Sequence, residues 1–385
     1  MRNAIQIVLA PDSYKGSLTA QEACRAMARG VRRVWPGATI LEVPMADGGN
    51  GTTEALVSAT GGRSCRARVT GPLPGTTVEA AFGLLGDGRS AVVEMARASG
   101  LILISPERRN PLHTTTQGTG ELMTAALAAG AAHLIVGIGG SATTDGGAGM
   151  AQALGARFFD RAGQEITDPL TGGRLAEVAD LDVAELVSDM AARQIEVACD
   201  VDNPLLGPRG AAAIYGPQKG ASPADVAVLE SNLGHFFDLV ERRLGVRVRD
   251  IPGAGAAGGL GAGLLAFCGA TLVRGVDLVM RACDLAGKLA GADLVLTGEG
   301  QLDAQTASGK TISGVARVAR AAGVPVIALP GRLADGPGAI AALGLEEAVA
   351  ISPHGMPLEQ AMAQAANLLA AAAEGVCRRR KGEKN

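Results

Sequence analysis

The acidic and basic residues of this chain gather where apolar runs stop. Asp12, Ser13 and Lys15 follow IQIVLA (5–10), Asp47 follows ATILEVP (38–44), Asp200 and Asp202 follow IEVAC, and Glu299 and Asp303 follow LVLTG. Lys219 and Lys310 sit in the glycine-bearing stretches PQKGA and ASGKT. The loops after the apolar runs are rich in glycine, above all GIGGSATTDGGAG (137–149), which adds the hydroxyls of Ser141, Thr143 and Thr144 and the carboxylate of Asp145. Where such a loop leads into a helix it presents unpaired backbone N–H groups to an anion, and glycine lets a phosphate approach the backbone closely. Phosphoryl transfer asks for more: cations that neutralise phosphate, carboxylates that hold Mg2+, and one carboxylate that accepts the proton of the attacking hydroxyl. Lys15, Lys219 and Lys310 are candidates for the first task and the acids for the others. Taken singly, each acid also reads as a helix cap or turn residue, each lysine as a solvated charge, and each loop as a tight strand-to-helix turn. Their repetition along one chain is what favours phosphate.

Two familiar nucleotide motifs do not hold. GxxxxGK[ST] breaks because Ala304 stands where GKT at 309–311 needs a glycine. GxGxxG occurs at Gly253, Gly255 and Gly258, but the preceding VRVRDIP is not a buried strand, so a dinucleotide fold is disfavoured. None of His113, His133, His235 and His354 stands in a metal or triad pattern. The cysteines lack CxxC spacing and read as small hydrophobes in a reducing compartment. TTTQGTGE (114–121) reads as a helix start with capping hydroxyls.

These loops need a scaffold. Short β-branched runs at 5–10, 38–44, 133–140, 195–200, 292–298, 325–331 and 346–352 alternate with helix-like segments, among them 19–34, 311–322 and 357–377. The alternation predicts parallel α/β sheets, whose ligands sit at the carboxyl ends of the strands, where the loops fall. RARVTGPL, TTVEAAFGLL and SAVVEMA instead follow one another with tight turns and no helix, which predicts antiparallel pairing and a second domain with a mixed sheet. The first 70 residues hold too few strand–helix units for a doubly wound core. The expected architecture is therefore a discontinuous first domain, 1–70 plus 285–385, with 71–284 inserted as a second α/β domain.

Composition narrows the class. Glycine accounts for 55 of 385 residues, about twice the usual share, while aromatics are 2%. No Gly-X-Y period is present, and 47% hydrophobic against 19% charged residues is enough apolar surface to fold, which excludes collagen and disorder. A net charge of −3 gives no field that would draw nucleic acid or an anionic membrane. The uncharged stretch 251–273 is long enough to cross a bilayer but is interrupted by glycine and proline, and no signal peptide opens the chain. A cytoplasmic globular protein is expected.

Read in order, the blocks PDSYKGSLTAQEA, VPMADGGNGTTEAL, GIGGSATTDGGAGM, ACDVDNPLLGPRGAAAIYGPQKGA, PGAGAAGGLGAG and LTGEGQLDAQTASGKTISGVA resemble the glycerate kinase family, the bacterial type that makes 2-phosphoglycerate. The resemblance covers nearly the whole chain. It implies an ATP- and Mg2+-dependent kinase acting on D-glycerate, with a flavodoxin-like domain that carries an inserted restriction-endonuclease-like domain. Under this resemblance Asp200 is expected to be the base for the C2 hydroxyl, with Lys15 and Asp47 as the other catalytic groups. Asp12, Ser13, Gly48, Gly49, Asn50, Lys219 and Lys310 are expected at substrate and phosphate. Gly139, Gly140, Ser141, Thr143, Asp145, Gly146 and Gly147 are expected around the nucleotide, and Asp47, Glu299 and Asp303 around Mg2+. Two residues depart from the family pattern. ADGGEGT has its Glu replaced by Asn50, which keeps hydrogen bonding but no charge, and GEGRLD has its Arg replaced by Gln301. Phosphorylation at the 3-position, a non-catalytic binder of small acids, and the oligomeric state stay open at this level.

Overall fold

The computed structural model describes residues 5–49, 51–190, 192–302, 311–333 and 343–383. It divides into two compact units, Met1–Asp47 with Glu54–Thr60 and Val276–Asn385, and Gly48–Thr53 with Gly61–Gly275.

In the first unit the strands Gln6–Leu9, Thr39–Glu42, Leu294–Thr297, Val326–Ala328 and Glu347–Ala348 form one parallel sheet. Counted within the unit, their order across the sheet is 2-1-3-4-5, the flavodoxin-like doubly wound order. The order reverses between Gln6–Leu9 and Leu294–Thr297, and in sheets of this type the ligand crevice opens at the carboxyl ends of those two strands. The runs IVL and LVLT carry no alternation because helices cover both faces. The helix Ala20–Val34 begins on a capping box, in which Thr19 Oγ1 accepts from Glu22 N and the Glu22 carboxylate accepts from Thr19 N. It turns Cys24, Met27 and Val31 into a core shared with Ile7, Leu296 and Leu369. At Gly30 it meets the C-terminal helix Ala365–Glu383 so closely that a Cβ would lie 2.2 Å from Ala370 O.

The second unit holds a mixed sheet of Arg63–Thr70, Thr77–Leu84, Ser90–Glu94, His133–Gly137, Gln194–Ala198 and Thr271–Val273. The first three strands are antiparallel, as the tight turns predicted, and the pairing becomes parallel from Ser90–Glu94 onward. The boundary expected at residue 70 shifts, because Arg63–Thr70 pairs along its whole length with Thr77–Leu84. Register sets Glu94 opposite Gly137, Gly137 opposite Ala198 and Ala198 opposite Val273, so four strands end on one edge. The few aromatic residues are concentrated here, with Phe158, Phe236 and Phe267 in mutual ring contact. The uncharged stretch supplies the buried helix Ala256–Cys268, kinked by positive φ at Ala257, Gly258 and Gly259. No described helix is long and apolar enough to cross a membrane.

Candidate active site

At the strand-order reversal of the first unit, the chain after Gln6–Leu9 is tied across to the neighbouring strand end. Asp12 N donates to Gly298 O and Thr297 Oγ1 donates to Ala10 O, both at 2.8 Å. The Asp12 carboxylate accepts from Ser13 N and from Thr311 Oγ1, both at 2.5 Å. Burial pushes its pKa up, the bond from Thr311 draws it back, and the negative charge of Asp47 raises it further. Glu299 follows the adjacent strand, and after burial its charge is the next cause that raises the pKa of the enclosed Tyr14 phenol. Lys15 is exposed and Ser13 half-buried on the turn that carries Asp12. Among the described residues no three or more His, Cys, Asp and Glu converge on one point. Mg2+ commonly takes one or two carboxylates and completes its shell with water and phosphate oxygens, a mode that asks for no all-protein cage.

The second unit assembles a different constellation on its shared strand edge. Gly48, at φ +89°, lies so near Ala198 that a Cβ would meet the alanine Cβ at 2.5 Å and Gly275 Cα at 3.2 Å. A Cβ on Gly137 would stand 2.8 Å from Gly48 O, and one on Gly139 would stand 3.6 Å from Gly49 Cα. Gly48 and Gly49 thus face the start of the GIGG loop with no side chain of their own between them. Gly139 and Gly140 are exposed, Gly140 at φ +75°. Asp200 is exposed on the same edge, with Oδ1 accepting from Gly275 N at 2.9 Å. Below them Glu94, only 2% exposed, accepts from Thr53 N at 2.7 Å and from Arg97 Nε at 3.3 Å, which anchors the Gly48–Thr53 segment. Sequence reasoning passed over Glu94, although a carboxylate ending the apolar run AVV was its signal.

The remainder of the 137–149 loop turns inward. Asp145 is fully buried, and its carboxylate accepts from Thr116 N at 2.7 Å, Thr116 Oγ1 at 2.8 Å, Gly147 N at 3.2 Å and Gly149 N at 3.3 Å. The N–H groups that open the short helix Ala148–Ala153 therefore bond to the protein's own carboxylate, where the sequence suggested a phosphate. Burial raises the Asp145 pKa and these bonds oppose the rise. Ser141 and Thr143 are buried as well, and a Cβ would meet the Phe237 ring at 2.8 Å from Gly146 and Gly263 Cα at 3.2 Å from Gly147. Of the seven residues expected around the nucleotide, Gly139 and Gly140 are the two that are exposed. Lys219, expected at substrate and phosphate, is enclosed: it is 2% exposed, and its Nζ donates to Thr143 O at 2.5 Å and Ser141 Oγ at 3.3 Å. Thr116 makes no side-chain bond to its own helix and instead ties Asp145 to Met150 N. The GxGxxG glycines admit neighbouring backbone, with Pro204 O 2.2 Å from a Cβ on Gly255 and Thr143 O 2.0 Å from one on Gly258. Asn50, Asp303 and Lys310 lie outside the described residues.

Comparison with known proteins is consistent across the chain. The sequence matches the glycerate kinase family over residues 7–381. It is 52% identical to the glycerate kinase of Bacillus subtilis (strain 168) over 95% of both chains, and 49% identical to the glycerate 2-kinase of Escherichia coli (strain K12) over 89% of both. A crystal structure of a candidate glycerate kinase 2 from Salmonella typhimurium LT2 matches with a TM-score of 0.90 at 48% identity, covering 99% of this chain and 100% of that one. With two α/β units that carry acids and glycine loops at their strand ends, these matches place the chain among α/β phosphotransferases. The chain belongs to the glycerate kinase family and is a kinase, which sets aside the non-catalytic binder.

Proposed function

We propose that the protein transfers the γ-phosphoryl group of ATP to the C2 hydroxyl of D-glycerate and releases 2-phospho-D-glycerate. The observation that carries this reading is the edge of the second unit, where an exposed carboxylate, Asp200, shares its surroundings with the side-chain-free Gly48, Gly49, Gly139 and Gly140. The likeness to a protein named glycerate 2-kinase supports the 2-position. In this reading the backbone of Gly139 and Gly140, with Gly48 and Gly49, receives nucleotide phosphates. Asp200, held by the Gly275 N–H, takes the hydroxyl proton as the oxygen attacks phosphorus. Lys15 and Ser13 contact the glycerate carboxylate or the transferred phosphate, within reach of solvent on their turn. Asp47 and Glu299 are the groups that would hold Mg2+, which when bound neutralises charge on the phosphates. Dependence on ATP fits a cytoplasmic enzyme.

The test is a kinetic and product analysis together. Asp200→Asn should lower kcat by about 100-fold or more, the contribution of a general base. A kcat that barely moves removes Asp200 from that role. Phosphorus NMR of the product should show the phosphate on C2, and a 3-phosphoglycerate product would overturn the proposed position.

A further inference from the structure

We infer that Lys219 is a positioning residue for nucleotide binding, an internal Nζ donor that holds the Gly139–Gly140 tip from within through Ser141 and Thr143; this rests on reading that tip as the ATP phosphate site. The tip has no side chains to pack, and Gly140 sits in the left-handed region at φ +75°. Its backbone is tied to the Ser99–Leu101 stretch, where Leu101 N donates to Gly140 O at 2.9 Å and Ala142 N to Ser99 O at 3.0 Å, and the lysine adds a side-chain hold. One residue further on, the chain becomes buried and polar, and there the lysine acts. Its Nζ donates to Thr143 O at 2.5 Å and to Ser141 Oγ at 3.3 Å, while Ser141 Oγ also accepts from Thr143 N at 3.0 Å. One ammonium thereby joins both sides of the turn that follows the glycines.

The lysine has little freedom to leave. It ends the tight turn Pro217–Lys219 after the helix Ala211–Tyr215. The next residue, Gly220 at φ +95°, is pressed so near Arg109 that a Cβ would lie 2.2 Å from the arginine O. The charge acting on Lys219 is that of Asp145, whose carboxylate holds Gly147 N and Gly149 N. The two ends of the 137–149 loop are thus held from within by two buried polar side chains, the near end by the lysine and the far end by the aspartate. Burying either group is costly unless its hydrogen-bond partners are present, so each is tied to the loop segment it bonds. Fixing phosphate-binding N–H groups before the ligand arrives lowers the ordering cost of binding. The loss should therefore fall on ATP and not on glycerate.

Steady-state kinetics on three variants test this. Lys219→Met removes the ammonium, Lys219→Met/Asp145→Asn removes both charges together, and Ser141→Ala removes one contact of the ammonium and no charge. KM for ATP should rise about ten-fold or more in the first two and roughly two- to five-fold in the third, with KM for D-glycerate within about two-fold of wild type. A variant with native near-ultraviolet circular dichroism and unchanged KM for ATP overturns the clamp, and so does an equal rise in both KM values. Should neither methionine variant fold, Ser141→Ala decides, and an unchanged KM for ATP overturns the proposal. Gly139→Ala separates the clamp from the reading beneath it, since a methyl on the exposed tip should raise KM for ATP by itself. If Gly139→Ala has no effect, the tip is not the ATP site. If it raises KM for ATP while the Lys219 variants do not, only the clamp fails.

Discussion

Lys219 shows how far residue chemistry depends on where a side chain ends. Burial brings its pKa down from the usual 10.5 to about 7, against the pull of Asp145. Between those values the unfolded chain binds a proton that the folded chain has released, so stability rises with pH across that window. Relative to Lys219→Met, the wild-type protein should gain roughly 1–2 kcal/mol between pH 7 and pH 9. Urea unfolding of both proteins at the two pH values measures the difference, and an unchanged gap would mean that the ammonium is not destabilised by its surroundings. Asp145 has the opposite linkage, because its raised pKa lets the folded state keep a proton that the unfolded state loses as pH climbs out of the acid range. Nothing in PQKGA announced a buried lysine, since the same letters serve a surface turn. The placement of Asp200 and Lys15 beyond strand ends was legible because each follows an apolar run, Gln194–Ala198 and Gln6–Leu9. Glu94 obeys the same rule and was passed over, as its apolar run was read for pairing alone.

At the scale of elements, apolar period and turn residues found the strands, while their partners decided the units. Arg63–Thr70 looks like any short strand until it is seen paired along its length with Thr77–Leu84, which draws it into the second sheet. Contacts between helices were equally silent in sequence. Alanine and glycine in Ala20–Val34 permit close approach, and at Gly30 the neighbouring helix stands so near that the glycine is obligatory. Gly30→Ala would set its Cβ 2.2 Å from Ala370 O, a backbone atom that cannot swing aside. The helices must separate, at a cost of about 1–3 kcal/mol typical of overpacking. Thermal unfolding should show a lowered midpoint for Gly30→Ala, and a midpoint equal to wild type would mean that the two helices do not pack as described.

For the molecule as a whole, the surplus of glycine serves two ends. At Gly139 and Gly140 it leaves backbone open, whereas at Gly146, Gly255 and Gly258 it lets buried segments touch, so glycine-rich sequence alone could not tell a phosphate loop from close packing. Each unit also has its own core, Ile7, Met27 and Leu296 among others in the first and Val93, Val136 and Phe236 in the second, so each can report on its own ligand. A ligand that binds only the folded form stabilises it by about 2.7 kcal/mol when present at roughly 100 times its Kd. If ATP phosphates rest on the Gly139–Gly140 tip, that stabilisation enters the second unit directly. Hydrogen exchange read by mass spectrometry, with ATP at that excess, should then slow by up to about 100-fold in His133–Gly137 and Gln194–Ala198, where exchange requires the unit to open. Adenosine, which lacks the phosphates, should give much less protection in the same strands. Protection by ATP confined to Gln6–Leu9 and Leu294–Thr297 would move the phosphate site to the strand-order reversal of the first unit, where Asp12 and Glu299 stand.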